Sequence, residues 1–206
     1  MKKEIPHLPQ TASQTAGPYV HIGLAPEQAG FSAYAVPIKH TVADPGSPGV
    51  PIRIEGSIVD GDGALVKDAL IELWQADAQG HFIDTPQATS GDTGFRGWGR
   101  AVCDFVTGEW HIDTIKPGAW TDPDGERHAP HLCLWIVARG INIGLHTRVY
   151  FDDETEANAT DPVLTSLSDT ARVDTLIARR VQGTEPQVYR FDICLLGAAE
   201  TVFFDV

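Results

Sequence analysis

The sequence predicts an all-β protein: a β-sandwich preceded by a long irregular N-terminal arm, with one or two short helices near 161–182. Three observations predict it. From Pro51 onward, short segments alternate apolar and polar residues with a period near two. Gly, Asp and Pro punctuate those segments at the spacing of strand turns. Residues 1–50, by contrast, are proline-rich and hardly periodic.

The arm, residues 1–50, reads as extended chain, and its Tyr19, Ile22, Leu24, Phe31 and Tyr34 suit a segment laid over another surface. The domain, residues 51–206, opens with IRIEGSIVD, which alternates. Asp60-Gly61 and Asp62-Gly63 mark a hairpin turn, and ALVKDALIELWQAD resumes the alternation. Further strands are expected over 97–104, 108–115, 131–138, 147–150 and 188–196. Between 161 and 182 the reading changes. Asp161-Pro162 and Ser168 offer helix starts, and Val173, Leu176, Ile177 and Val181 recur at helical spacing, with Arg179 and Arg180 at the end of the segment.

A length of 206 residues with 42% hydrophobic content favours one domain with a sizeable core. The net charge of −13 opposes binding to nucleic acid or to an anionic membrane, so neither is an expected partner. The longest apolar run, Leu132 to Ala138, falls far short of the roughly 20 residues of a membrane span. MKKEIPHLPQ lacks the apolar stretch of a signal peptide. Cys103, Cys133 and Cys194 are odd in number and lie in apolar settings, as buried thiols of a reducing cytoplasm do. A cytoplasmic location is the expectation.

One stretch, KPGAWTDPDGERHAPHLCLW (116–135), crowds histidine, cysteine and tryptophan into a hairpin. His131 and Cys133, two apart on a strand, project to one face. A structural zinc site takes four donors and a catalytic one three. His128 is the nearest further donor, and Cys103 and His111 join only if strands bring them close. A buried thiol beside a hydrogen-bonded histidine is the favoured reading. Arg139 follows the apolar LCLWIVA, so its charge either reaches solvent or meets a carboxylate. Gly17-Pro18 makes a stiff turn, able to wall a flat ring or simply to turn a loop. Thr15 can bond a ligand or cap that turn, and Tyr19 can stack or anchor the arm. His146, Thr147 and Arg148, close before Asp152, Asp153 and Glu154, invite an ion-pair network, internal or at a partner interface, and read as interface scaffolding rather than catalysis. Neither a G-x-S-x-G elbow nor a Walker-type phosphate loop occurs.

Seven pieces, in order along nearly the whole chain, resemble the intradiol ring-cleavage dioxygenases. They are SQTAGPY (13–19), HIGL (21–24), IELWQADAQG (71–80), TIKPG (114–118), APH (129–131), ARGINIGLHTRVYFDDE (138–154) and YRFDICLLGAAETVFFD (189–205). The resemblance is to the alpha chains of the family's two-chain members. It implies a β-sandwich and a reaction in which O₂ cleaves a catechol between its two hydroxylated carbons, giving a muconate-type diacid. The family holds a non-haem ferric iron on two tyrosines and two histidines. Its iron-bearing chains place a tyrosine after the KPG turn and a His-x-His pair on the next strand. Here Ala119-Trp120 and His131-Leu132-Cys133 stand there, and no tyrosine occurs between Tyr34 and Tyr150.

The resemblance therefore implies no cofactor and no catalytic residue in this chain, with ferric iron in a beta-chain partner of a hetero-oligomer. The implied substrate is protocatechuate, a catechol carrying a ring carboxylate, cut to 3-carboxy-cis,cis-muconate. The residues that match the alpha chain's share of the pocket are Thr15, Gly17, Pro18, Tyr19 and Arg139. Two other readings stand beside this one: a self-sufficient dioxygenase with different metal ligands, and a non-enzymatic β-sandwich binding module.

Overall fold

The computed structural model describes residues 12, 14–17, 19–32, 40–83 and 94–205. The strands are β1 (Pro51–Val59), β2 (Leu70–Gln75), β3 (Trp98–Val102), β4 (Glu109–Ile115), β5 (Trp120–Thr121) and β6 (Arg127–His128). They continue with β7 (His131–Val137), β8 (Leu145–Phe151), β9 (Ile177–Val181), β10 (Gln187–Arg190) and β11 (Ile193–Cys194). β1 lies antiparallel to β4 and parallel to β10 and β11. On the other flank β2 pairs antiparallel with β3 and β7, and β7 with β8. β9 joins the flanks, running parallel to β8 and antiparallel to β10. The result is a nearly closed mixed sheet, the all-β sandwich expected from the alternation.

The alternation sorts each strand's side chains between core and surface. β1 buries Ile52, Ile54 and Ile58 and turns Arg53, Glu55 and Ser57 outward. β4 adds Trp110 and Ile112, β2 adds Ile71 and Leu73, and β7 adds Leu132, Leu134 and Ile136 to the same core. Each fully buried aliphatic side chain contributes about 1.5–3 kcal/mol to this assembly. Gln75 is the polar exception. Its amide donates to the Ala76 and Ile115 carbonyls at 3.0 Å each, and its oxygen accepts Thr114 Oγ1 at 2.6 Å. A buried amide so satisfied fixes β2 against β4 without an unpaired polar atom.

A second, smaller core of Ala129, Tyr150, Leu164, Leu176 and Val202 lies beneath two short helices at 162–174. In chain order the helices are α1 (Tyr19–Leu24), α2 (Thr155–Asn158), α3 (Pro162–Ser166) and α4 (Thr170–Asp174). α3 begins where Asp161-Pro162 predicts, with the Asp161 carboxylate accepting the Val163 and Leu164 N–H groups. No described helix is long and apolar enough to cross a membrane.

Three segments differ from the sequence reading. The helical spacing that includes Ile177 and Val181 ends early, because Ile177–Val181 forms β9. β8 offers an open edge there, with Tyr150 opposite Ile177 and Phe151 opposite Ala178. The expected strand over 188–196 is broken into β10 and β11. The Asp192 carboxylate accepts both the N–H of Ser57 (2.9 Å) and its hydroxyl (3.0 Å), taking a donor that a continuous ladder would use. Within the arm, residues 19–24 coil into α1 rather than run extended. The arm's Val42 and Ala43 enter the main core, while Tyr19 (78% exposed) and Phe31 (53%) stay outside it.

Candidate functional site

Thr15 is held by the residue that follows Arg139. The Gly140 N–H donates to Thr15 Oγ1 at 2.6 Å, which ties the start of the arm to the turn after β7. A second tie follows: Arg100 Nη1 donates to the Leu24 carbonyl at 2.5 Å, at the end of α1. Beside these contacts opens a groove of about 510 Å³, walled by Ile22 of α1, Leu65, Lys67, Asp68, Phe105 and Arg139. That volume suits a single small ring. Arg139 Nε donates to the Asp68 carboxylate. Its side chain is 63% exposed, so its outer Nη edge faces open space among the described residues. A planar guanidinium can hold one carboxylate through Nε and a second through that edge.

Gly17 and Tyr19 lie close to Thr15 in sequence but do not line the groove. The Gly17 carbonyl accepts the Val20 N–H at 3.1 Å and starts α1. A Cβ added at Gly17 would meet nothing within 4 Å, so nothing described in this chain requires glycine there. Tyr19 is exposed at the head of α1. Pro18 lies outside the described residues.

The hairpin at 116–135 is built by close backbone packing. Gly80 has φ 87°, and a Cβ there would lie 2.2 Å from the Ala119 carbonyl oxygen. Only glycine lets the Lys116-Pro117-Gly118 turn settle on the 77–80 loop, where the Gly118 N–H reaches the Asp77 carbonyl at 2.8 Å. β5 and β6 close the hairpin around Asp122, whose carboxylate accepts the Asp124 and Glu126 N–H groups. The Trp120 ring stacks on His128 with centroids 4.8 Å apart and planes 13° from parallel. Phe82 meets the same indole edge-on at 5.1 Å.

Behind the stack lies a polar cluster. The Tyr150 hydroxyl donates to Asp161 at 3.0 Å. Arg148 Nη1 lies 3.4 Å from both the Tyr150 hydroxyl and His128 Nδ1. His128 Nε2 faces Asp122 at 3.3 Å, and its Nδ1 lies 3.7 Å from Asp161. Burial, and then the Asp161 charge, push the Tyr150 phenol well above its ordinary range. Burial, reinforced by Arg148, depresses His131 to about 4. Its Nδ1 bonds the Ala129 carbonyl at 2.8 Å. Burial also pushes the Cys133 thiol up.

These groups do not fit the ferric site of two tyrosinates and two imidazoles. The indole of Trp120 offers only an N–H, and the Tyr150 phenol is held protonated by the carboxylate it bonds. His131 supplies one imidazole and Cys133 a protonated thiol. Among the described residues, neither joins a group of three donors within metal-binding range.

Among the described residues, His146, Thr147 and Arg148 make no ion pair with Asp152, Asp153 or Glu154 within the chain. Lys116 instead takes Asp153 at 2.8 Å and Glu154 at 2.7 Å. Thr147 is buried and donates to the Val202 carbonyl at 2.8 Å. Asp161, the hub of the hairpin cluster, is legible in the sequence only as a helix cap. Its contact with Tyr150 depends on how β8 lies against α3.

The family model described as Dioxygenase matches residues 33–197. This chain belongs to the intradiol ring-cleavage dioxygenase family. A relative from Pseudomonas putida, the protocatechuate 3,4-dioxygenase alpha chain, is 48% identical over 198 residues, 96% of this chain and 97% of that one. The protocatechuate 3,4-dioxygenase beta chain of Burkholderia cepacia is 32% identical over 162 residues, 74% of this chain and 67% of that one. The family fold is met again in the dioxygenase domain of a dioxygenase and carbohydrate-binding protein fusion from Streptomyces sp. SirexAA-E. Its TM-score is 0.59 at 24% identity, covering 93% of this chain and 99% of that one.

Proposed function

We propose that the chain is the alpha-type subunit of a protocatechuate 3,4-dioxygenase, completing an active site whose ferric iron is held by a beta-type partner. The near-full-length match to an alpha chain carries this reading. The hairpin supports it from the chemistry: the Trp120 indole and the protonated Cys133 thiol stand where the resemblance puts metal-binding donors. The iron, where bound, supplies the site for the chelating catechol and the reaction with O₂.

This chain's own residues bind and orient. The outer edge of Arg139 takes the ring carboxylate of protocatechuate through charge-assisted hydrogen bonds. Thr15 holds the arm against the residue after Arg139, and Gly17, Pro18 and Tyr19 are the arm's further contribution to the substrate pocket of the assembled enzyme. Gly17 is open on its Cα side, as a backbone approached by a ligand or a partner needs to be. Exposed Tyr19, Ile22 and Phe31 suit burial against a beta chain. A cytoplasmic location fits the free thiols Cys103, Cys133 and Cys194.

The deciding experiment purifies this chain alone and after co-expression with a candidate beta chain, then measures iron and protocatechuate cleavage. Iron and activity appearing only in the complex is the expected result. Stoichiometric iron in the lone chain would overturn the assignment.

A further inference from the structure

On the outer face of the other flank, His40, His111 and Asp113 each present a ligand atom, and all three atoms lie within 4.8 Å of one another. His111 and Asp113 are two apart on β4 and so project to one face. His40 comes from the arm, and the backbone fixes its position. The Asp113 N–H donates to the His40 carbonyl at 3.0 Å, and the Val42 N–H to the Asp113 carbonyl at 2.8 Å. The two imidazoles meet edge-on with centroids 4.6 Å apart. All three side chains are half-buried, which removes part of the water a bound ion would otherwise exchange for ligands.

The carboxylate is oriented by a neighbour. Arg53 Nε and Nη2 donate to Asp113 Oδ1 and Oδ2 at 2.7 and 2.9 Å. Each carboxylate oxygen has a second lone pair, so a guanidinium on one side leaves an oxygen able to bind a cation on the other. Outer partners of this kind commonly orient metal ligands. Glu55 stands opposite His111 in the ladder and offsets the positive charge that Arg53 brings. The group uses none of the hairpin residues His128, His131 or Cys133.

We propose that His40, His111 and Asp113 form a binding site for a borderline divalent transition ion, with Zn²⁺ as its representative. Two imidazoles and one carboxylate suit such ions better than Mg²⁺ or Ca²⁺, which prefer oxygen ligands alone. Three protein ligands leave a position for water. The ion clips the arm segment at 40–43 to β4.

The test titrates Zn²⁺ into the chelator-treated full-length chain, free and in its assembled form, against a chromogenic competitor. One Zn²⁺ per chain is expected. His40→Gln and His111→Gln should each weaken binding by more than about tenfold, the smaller cost of losing even an outer-sphere partner. His81→Gln, at a histidine 79% exposed, should leave it unchanged. Zn²⁺ should also raise the melting temperature of the parent chain but not of either site variant. Circular dichroism matching the parent identifies variants that remain folded. Absence of stoichiometric binding would overturn the proposal, as would binding that survives both site substitutions or is lost with His81→Gln, which marks an adventitious surface ion.

Discussion

The hydroxyl of Thr15 accepts the Gly140 N–H across 2.6 Å, fastening the start of the arm to the residue that follows Arg139. Thr15→Val keeps the side-chain shape and removes that acceptor. A hydrogen bond of this kind is worth about 0.5–1.5 kcal/mol net, so the KM for protocatechuate should rise roughly 2- to 12-fold with kcat little changed. Steady-state kinetics of the assembled enzyme measure this. Unaltered KM would mean that the arm's position owes nothing to Thr15.

Arg139 tests the carboxylate assignment by comparison between substrates. Because its Nε already bonds Asp68, substitution also frees that carboxylate, which then repels an anionic ring. Arg139→Ala should weaken protocatechuate about 12- to 150-fold, the loss of a charge-assisted hydrogen bond worth roughly 1.5–3 kcal/mol. Plain catechol, lacking the carboxylate, should be nearly unaffected, and the iron content of the complex unchanged. An equal loss for both substrates would remove the carboxylate role.

The strands were legible wherever one face alone is buried. In β1, Ile52, Ile54 and Ile58 alternate with Arg53, Glu55 and Ser57, and the hairpin turn after it is written as Asp-Gly. Features that depend on a distant partner were not legible. β9 shares its spacing with a helix, and the open edge of β8 decided between them. The break at Asp192 depends on Ser57, which the fold brings alongside. In the hairpin, the substitution of metal-binding types at Ala119, Trp120 and Cys133 could be read directly. The contact of Tyr150 with Asp161 could not, nor could the Asp68 partner of Arg139, because each arises from tertiary packing.

Asp161 anchors the helix side of the hairpin cluster. It is fully buried, and its carboxylate accepts the Ala129, Val163 and Leu164 N–H groups as well as the Tyr150 hydroxyl. Asp161→Ala leaves those donors unpaired and uncaps α3, so it should cost roughly 3–5 kcal/mol. Tyr150→Phe removes one donor and should cost much less, about 1 kcal/mol. Urea unfolding of both variants gives the two figures. A loss below the Tyr150→Phe value for Asp161→Ala would show that water satisfies the freed N–H groups.

His131 links the same cluster to pH. Burial, with Arg148 nearby, holds its imidazole at about 4, against an ordinary 6.5. Above 6.5 both native and unfolded chains carry it neutral, so it contributes no pH dependence there. As pH falls from 6.5 towards 4, the unfolded chain takes up a proton that the native chain refuses, and stability declines across that window. At about pH 5 the decline from this residue should be roughly 2 kcal/mol relative to pH 7. His131→Asn keeps a polar side chain but cannot titrate, so its unfolding free energy should fall less between these two pH values, by about that amount. Comparing urea unfolding of the parent and His131→Asn chains at both pH values isolates the effect from the carboxylates, which titrate in both. An identical pH dependence in the two proteins would mean that the native fold opens enough to protonate His131 without unfolding.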